Sequence, residues 1–439
     1  MCTPPLATDA LPVADASERR ELLRIVVATS IVNGLEIFDF SVFGFFAAVI
    51  GDQFFPAANP MTSLLLAVGT FGVGFFMRPL GATLIGAYAD RVGRRAAMTT
   101  TSWMMALGTA SIGFCPPFAT LGIAAPLILI AGRLLQGFAA GGEVGASAAL
   151  MLEASPVSRR SYLVSWQLTA QAAAALLGAV LGTLLTAVMS PASLAVWGWR
   201  IPFMIGLLIA PAGLYVRRRL REPSLAGSNG KAVSTPLAEL YREHGKTIFL
   251  ATLMIGGLSV PFYATVYYMP AYLTRVMHMP PLTGFLSSVL SGVLLVVVSP
   301  LSGLIADRQP RRKPMVLVTA GCTALVAYPV FLMIVHAHST WPVLCGVGIV
   351  SVLLALNASV GTVLVLEAFP ARMRASGRAL SYALGVALFG GTAQFIMTGL
   401  IKWTGDPLSA GWYVAWASLV SFVAAVLFKE RPVRTATQA

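Results

Sequence analysis

Twelve apolar runs, each long enough to cross a lipid bilayer, constrain what this chain can fold into. They fall at roughly 25–51, 62–88, 96–115, 121–152, 161–188, 199–217, 247–272, 282–305, 314–336, 341–368, 376–403 and 410–428. A hydrocarbon core needs about 20 mostly apolar residues per helix. No water is available there for backbone polar groups, so each run must pair them internally as helix. The expected fold is an all-α membrane protein of twelve transmembrane helices. Composition excludes the alternatives: 30 Lys and Arg with 17 Asp and Glu in 439 residues leave too few charges for a soluble surface. The 57% apolar content excludes disorder.

The net charge of +13 reads as topology rather than as affinity for nucleic acid. Of the 30 Lys and Arg, 25 fall at the chain ends and on loops of one face, the face of the N-terminus; the other face holds only Arg200, Arg275 and Lys402. The positive-inside rule makes the rich face cytoplasmic, with both termini there. Residues 1–23 are expected to be a cytoplasmic tail, 24–217 a six-helix half and 218–246 a central cytoplasmic loop. Residues 247–428 are then a second six-helix half, and 429–439 a second tail. The N-terminus has acids before its bases and no cleavable leader, so the first span is expected to be retained.

The two halves repeat. Gly86–Arg95 (GAYADRVGRR) recurs as Gly303–Arg312 (GLIADRQPRR), 217 residues on, and Leu152-Glu153-x-x-Pro156 recurs as Leu366-Glu367-x-x-Pro370 after 214. Such pseudo-symmetric halves bind solute between them, near the midplane, and alternate access by rocking. Asp90, Arg91, Arg94, Arg95 and Glu153 are expected to form a gating latch at the cytoplasmic helix ends. Asp307, Arg308, Arg311, Arg312 and Glu367 are its second copy.

Charge within the spans marks the chemistry. Glu36, Asp39, Arg78, Arg133 and Glu143 all lie in the first half, and each costs about 2.5–3.5 kcal/mol to insert. Pairing or a wet cavity must offset that. Asp39 and Arg133 each lie 12 residues from the outer ends of their runs, about 18 Å deep at 1.5 Å per residue. Arg78 and Glu143 match in depth from the other face, and Glu36 lies one turn from Asp39. A carboxylate so placed can carry a proton, and the arginine fork can hold an anion; a static ion pair that fixes helix packing is the competing reading. In the second half the midplane polar groups are uncharged: Tyr263, Tyr267, Tyr268, Asn357, Thr362 and Gln394. Trp166, Gln167 and Gln171 join them from span 5. The glycines between Gly132 and Gly145 suit close helix packing.

Other chemistries lack their residues. Cys2, Cys115, Cys322 and Cys345 are scattered, no His or Cys falls in metal-ligand spacing, and no nucleotide-binding loop occurs. Neither a metal site nor an enzyme is expected. The energy source is an ion gradient or the solute's own.

The Gly86–Arg95 loop and RLLQGFAAGGE at 133–143 resemble signatures of the major facilitator superfamily. FDF at 38–40, FFP at 54–56, MRPLGA at 77–82 and WGWRIPF at 197–203 resemble its metabolite:proton symporter branch. LEIFDFSVFGFFA at 35–47 and TGDPLSAGW at 404–412 are most similar to bacterial citrate–proton symporters and tricarballylate transporters. The resemblance covers about residues 24–428. It implies a monomeric inner-membrane protein in the major facilitator fold that imports a small carboxylate with protons and needs no cofactor besides the coupling proton. Proton coupling is then expected at Asp39, Glu36 and Glu143. Substrate binding is expected at Arg133, Arg78, Gln136, Gln167, Gln171, Tyr267, Tyr268, Asn357 and Gln394. Symport of 2-oxoglutarate, shikimate or a zwitterionic osmolyte is the alternative, and a transport-dead sensor the remote one. Pro310 stands where the family has glycine, and with no embedded charge read from span 7 onwards, Arg78 and Arg133 are left as the only fixed cations.

Overall fold

The computed structural model describes residues 16–92, 94–141, 151–152, 155–207, 237–370 and 373–430. The side chains of 16–25, 86–87 (but not 88) and 89–98, with a few more in the first span and after residue 236, lie outside that description. Within it, every apolar run falls on helix and there is no strand. Eight spans are long and apolar enough to cross a membrane. They include span 2 (Pro60–Val92), span 5 (Arg160–Val188), span 8 (Pro281–Asp307), span 9 (Lys313–Val335), span 10 (Thr340–Ala368) and span 12 (Ser409–Leu427). Span 7 runs from Leu237–Tyr263 through a π turn at Ala264–Tyr268 into Met269–Arg275. Span 11 runs from Arg374–Gly385 through a second π turn at Val386–Gly390 into Gly391–Thr404.

Span 1 is a ninth, made of two helices bent by 69° at Phe46. Span 3 (Arg94–Gly113) opens on arginines and threonines that lower its apolarity. Span 4 has 17 described residues, Ala124–Ala140, and span 6 is described only to residue 207. Span 7 begins ten residues before the apolar run does, with a break at His244. Large apolar side chains such as Leu325 point outward, as lipid contact requires, and Trp341, Trp403 and Trp412 are exposed together at one end of the bundle.

Two features place the site. Pro261 and Pro270 each remove an N–H from the span 7 ladder, and the chain widens to its π turn between them. Gly390 and Gly391 permit the same in span 11. Spans 2 and 4 touch backbone to backbone: a Cβ on Gly137 would stand 1.8 Å from the Gly74 carbonyl oxygen. That approach brings Arg78 and Arg133 into one layer. Across the two halves, span 5 packs along span 8 and span 2 along span 11.

Candidate functional site

In the first half, four side chains from three spans form a hydrogen-bonded chain. Arg133 Nη1 donates to Gln136 Oε1 at 2.9 Å, one turn along span 4. Gln136 Nε2 donates to Thr109 Oγ1 of span 3 at 2.9 Å. The Thr109 hydroxyl donates to Asp39 Oδ2 of span 1. All four residues are buried. The expected Asp39–Arg133 neighbourhood is therefore present, but it is bridged by Gln136 and Thr109 rather than joined by a direct ion pair. Gln136 belongs to this chain, and Thr109 was not anticipated. Its signal was its place on span 3, a helix rich in threonine whose only charges are the two arginines at its start.

The Thr109 hydroxyl has one hydrogen and two acceptors in reach, Asp39 and the Met105 carbonyl at 3.0 Å. An ionised Asp39 accepts it. A protonated Asp39 donates to Thr109, whose hydrogen then turns to Met105, so the Oδ2–hydroxyl bond survives in either state. Span 6 leaves room for this through Gly206, where a Cβ would stand 2.4 Å from Asp39 Oδ1.

Aromatic rings enclose the cations. The Arg133 guanidinium lies 4.4 Å from the Phe40 and Phe43 ring centroids and 5.3 Å from that of Phe71. The Arg78 guanidinium lies 4.7 Å from the Phe40 ring centroid and 4.4 Å from that of Phe75. Its described acidic partner is Glu36 at 3.5 Å; Glu143, the partner expected from depth, lies outside the described residues. The pairing separates Glu36 from Asp39, which the sequence sets one turn apart on span 1. They are three residues apart, yet Glu36 meets span 2 and Asp39 meets span 3.

A separate cavity of about 130 Å³ opens between the halves. Of the residues expected to bind substrate, Gln167, Gln171, Tyr267 and Asn357 line it, and Tyr263 and Thr362 lie beside them. Arg133, Arg78, Gln136, Tyr268 and Gln394 do not. Tyr268 is buried with its hydroxyl 2.8 Å from Thr398 Oγ1, and Gln394 is fully buried in span 11. Trp166 is partly exposed and stacks edge-on with Tyr162. Asn357 Nδ2 is bonded to Thr319 Oγ1 at 2.7 Å.

The cavity's cation is Arg378 of span 11, 6% exposed. This overturns the expectation that the second half holds no embedded charge. Arg378 lies four residues inside the helix and follows Arg372 and Arg374, so it reads as one more loop cation. The available signal was spacing: Gly377, Ser381 and Gly385 mark a small-residue stripe facing the bundle, and Arg378 and Tyr382 flank it.

The latch expected of the second half forms in part, with Arg312 meeting both Glu367 and Asp307, and it also crosses between the halves. Asp307 Oδ1 and Oδ2 accept from the backbone N–H groups of Ser161 and Tyr162, at 2.8 and 2.9 Å, capping span 5. Arg312 Nε donates to Ser161 Oγ at 3.1 Å and Arg312 Nη1 pairs with Glu367 at 2.5 Å. Arg160 reaches Glu367 from the other half at 3.4 Å. Arg308 and Arg311 are exposed and make no ion pair among the described residues, because they lie on the turn beyond the helix end. The side chains of Asp90, Arg91, Arg94, Arg95 and Glu153 lie outside the described residues. At the opposite end Arg275 pairs with Asp52, and Lys402 Nζ donates to Thr62 Oγ1 at 2.8 Å. Both contacts also cross the halves.

Two six-span halves latched around a cavity that carries a few polar groups are the architecture of a transporter, and the comparisons with known proteins agree. The chain matches the Major Facilitator Superfamily over residues 29–385. It is 34% identical over 394 residues to the citrate-proton symporter of Klebsiella pneumoniae, covering 89% of this chain and 88% of that one. It is 33% identical to the alpha-ketoglutarate permease of Escherichia coli (95% and 96%) and 29% identical to the proline/betaine transporter of Salmonella typhimurium (95% and 86%). A partially occluded, inward-open structure of the xylose transporter XylE from E. coli superposes with a TM-score of 0.76 at 16% identity, over 95% of this chain and all of that one. The protein is a secondary active transporter and not an enzyme. It belongs to the major facilitator superfamily.

Proposed function

We propose that this protein imports a small carboxylate, citrate or another di- or tricarboxylate, together with protons, by alternating access across the bacterial inner membrane. Asp39 carries the proton. Arg133 responds to its charge through Gln136 and Thr109, and the Arg78–Glu36 pair lies beside it. Both termini face the cytoplasm, as the cation count requires, and the Asp307–Arg312–Glu367 latch closes that side.

The observation that supports this best is the bridged chain from Asp39 to Arg133. A carboxylate fully inside a membrane bundle is costly in its charged form unless hydrogen-bonded or paired. Here one hydroxyl can serve either protonation state. Loading and releasing one proton thus changes which bonds join spans 1, 3 and 4. The citrate-proton symporters among the relatives support the coupling ion and the substrate.

The test is uptake of labelled citrate into energised vesicles. Uptake should collapse when a protonophore dissipates the gradient, and uptake indifferent to protonophore sinks proton coupling. The alpha-ketoglutarate permease, nearly as similar as the citrate symporters, supports a second reading in which a dicarboxylate such as 2-oxoglutarate is preferred. Competition between the two labelled anions decides between them.

A further inference from the structure

We propose that Arg378, and neither Arg133 nor Arg78, is the residue that binds a carboxylate group of the transported anion. The inference rests on the carboxylate reading above and deepens it by naming the binding group and the half that holds it.

Arg378 is buried, yet its guanidinium is barely engaged. Its Nε and Nη1 have no hydrogen-bond partner among the described residues. Nη2 makes one long contact, 3.5 Å to Thr362 Oγ1, and one face lies 4.8 Å from the Tyr382 ring centroid. No acidic side chain lies within 4.0 Å of it among the described residues. A buried, unpaired guanidinium is among the costliest groups a protein can hold. A ligand that pairs with it recovers that cost.

The surroundings define the ligand. Every described lining residue of the cavity is uncharged except Arg378, so the cavity carries net positive charge. Gln167, Gln171, Asn357 and Thr362 supply amides and hydroxyls for further oxygens. Arg378 also sits in the first turns of the helix Arg374–Gly385, whose N-terminal end adds a partial positive charge. The two free donors of its fork match the two oxygens of a carboxylate. Glu367, the nearest latch carboxylate in sequence, is already bound by Arg312 and Arg160.

The first-half arginines are differently placed. Arg133 has no exposed surface and lies under three phenylalanine rings; Arg78 pairs with Glu36 and lies under two. Neither lines the cavity. Substrate charge and proton charge are then held in opposite halves, and the bundle couples them.

The experiment uses the full-length protein in proteoliposomes, with wild type, Arg378→Gln, Arg378→Lys and Gln171→Glu. Wild type is first assayed with citrate, tricarballylate, 2-oxoglutarate and betaine. Arg378→Gln should raise the KM for the preferred carboxylate about tenfold or more with little change in maximal rate, and Arg378→Lys, which keeps charge without the fork, should raise it less. Gln171→Glu, which puts a carboxylate into the same cavity, should also raise KM about tenfold by repulsion. It decides the matter even if Arg378→Gln fails to fold. A wild-type KM in Arg378→Gln or in Gln171→Glu overturns the assignment and leaves the carboxylate reading standing. A wild type that takes up betaine and no carboxylate overturns the carboxylate reading itself.

Discussion

Arg133 and Arg378 are both buried guanidiniums in a membrane bundle, and their surroundings differ in almost every other respect. Arg133 is fully enclosed, held by Gln136 and by the faces of Phe40, Phe43 and Phe71. Arg133 leaves Nε and Nη2 without a partner among the described residues but meets no cavity, whereas Arg378, with Nε and Nη1 unused, borders one. Ring faces stabilise a desolvated cation by about 2 kcal/mol or more without consuming a second charge. A cation stabilised this way can stay charged while Asp39 changes state beside it. A cation left without a partner at a cavity is suited to a ligand that comes and goes. Burial alone does not distinguish the two roles; the identity of the neighbours does.

The largest expected effect separates these roles. Asp39→Asn fixes the first-half carboxyl in a neutral form. We expect uphill accumulation of citrate to fall about 100-fold or more, the order seen when an essential proton carrier is removed. Counterflow exchange, which needs substrate binding and no net proton movement, should persist. Arg378→Gln should impair both. The comparison breaks if Asp39→Asn still accumulates substrate against its gradient, as read by labelled citrate at equal and unequal pH.

The next effect in size concerns Arg133. Arg133→Met keeps the side chain's bulk and removes its charge. The rings lose their cation, Gln136 loses its donor, and stability should fall by about 2 kcal/mol or more, by the value of a desolvated cation–π contact. A melting curve in detergent would show a clear drop, while citrate KM in the folded fraction stays within about twofold if Arg133 touches no substrate. An intact melting temperature with a large KM increase would reverse the roles given to the two arginines. Smaller again is Thr109→Val, which deletes the hydroxyl between Asp39 and Gln136. Transport should fall about tenfold, the low end of what one positioned proton-transfer group contributes, and Thr109→Ser should restore it. Equal rates in both variants would remove Thr109 from the chain.

The sequence disclosed what depends on composition along the chain. Length and apolarity set the twelve spans, and Gly86–Arg95 against Gly303–Arg312 exposed the repeat. Charge inside an apolar run marked Asp39, Arg78 and Arg133 without any structure. What it hid depends on which helix faces which. Depth alone put Asp39 beside Arg133 and missed the threonine and glutamine that join them. Glu36 and Asp39, one turn apart, meet different spans because three residues on a helix subtend about 300°. Arg378 was concealed by its neighbours: near a helix start, among other arginines, an inward cation and a loop cation have the same sequence appearance. The latch was legible within its half, where Arg312 meets Asp307 and Glu367, but not across it, where Asp307 and Glu367 also reach Ser161, Tyr162 and Arg160.

That crossing carries the smallest of the expected effects. Glu367 joins Arg312 of its own half to Arg160 of the other, while Asp307 caps span 5 through two backbone N–H groups. Glu367→Gln keeps the shape and removes the charge that both arginines share. Because Asp307 still holds span 5, the latch should weaken without opening fully, by about 1–2 kcal/mol for one lost charge-assisted pair. A shift of that size changes a two-state population about five- to thirtyfold when the open form is minor. The readout is a single cysteine introduced at Gln167 in a background lacking the native cysteines. Labelling by a membrane-impermeant thiol reagent, applied to inside-out vesicles, should quicken several-fold in Glu367→Gln. Citrate KM measured from the outer face should change much less, since Arg378 and its cavity are untouched. Unchanged labelling would mean that Asp307 alone holds the closed end, and that the ion pairs around Glu367 serve the fold of the second half rather than the gate between the halves.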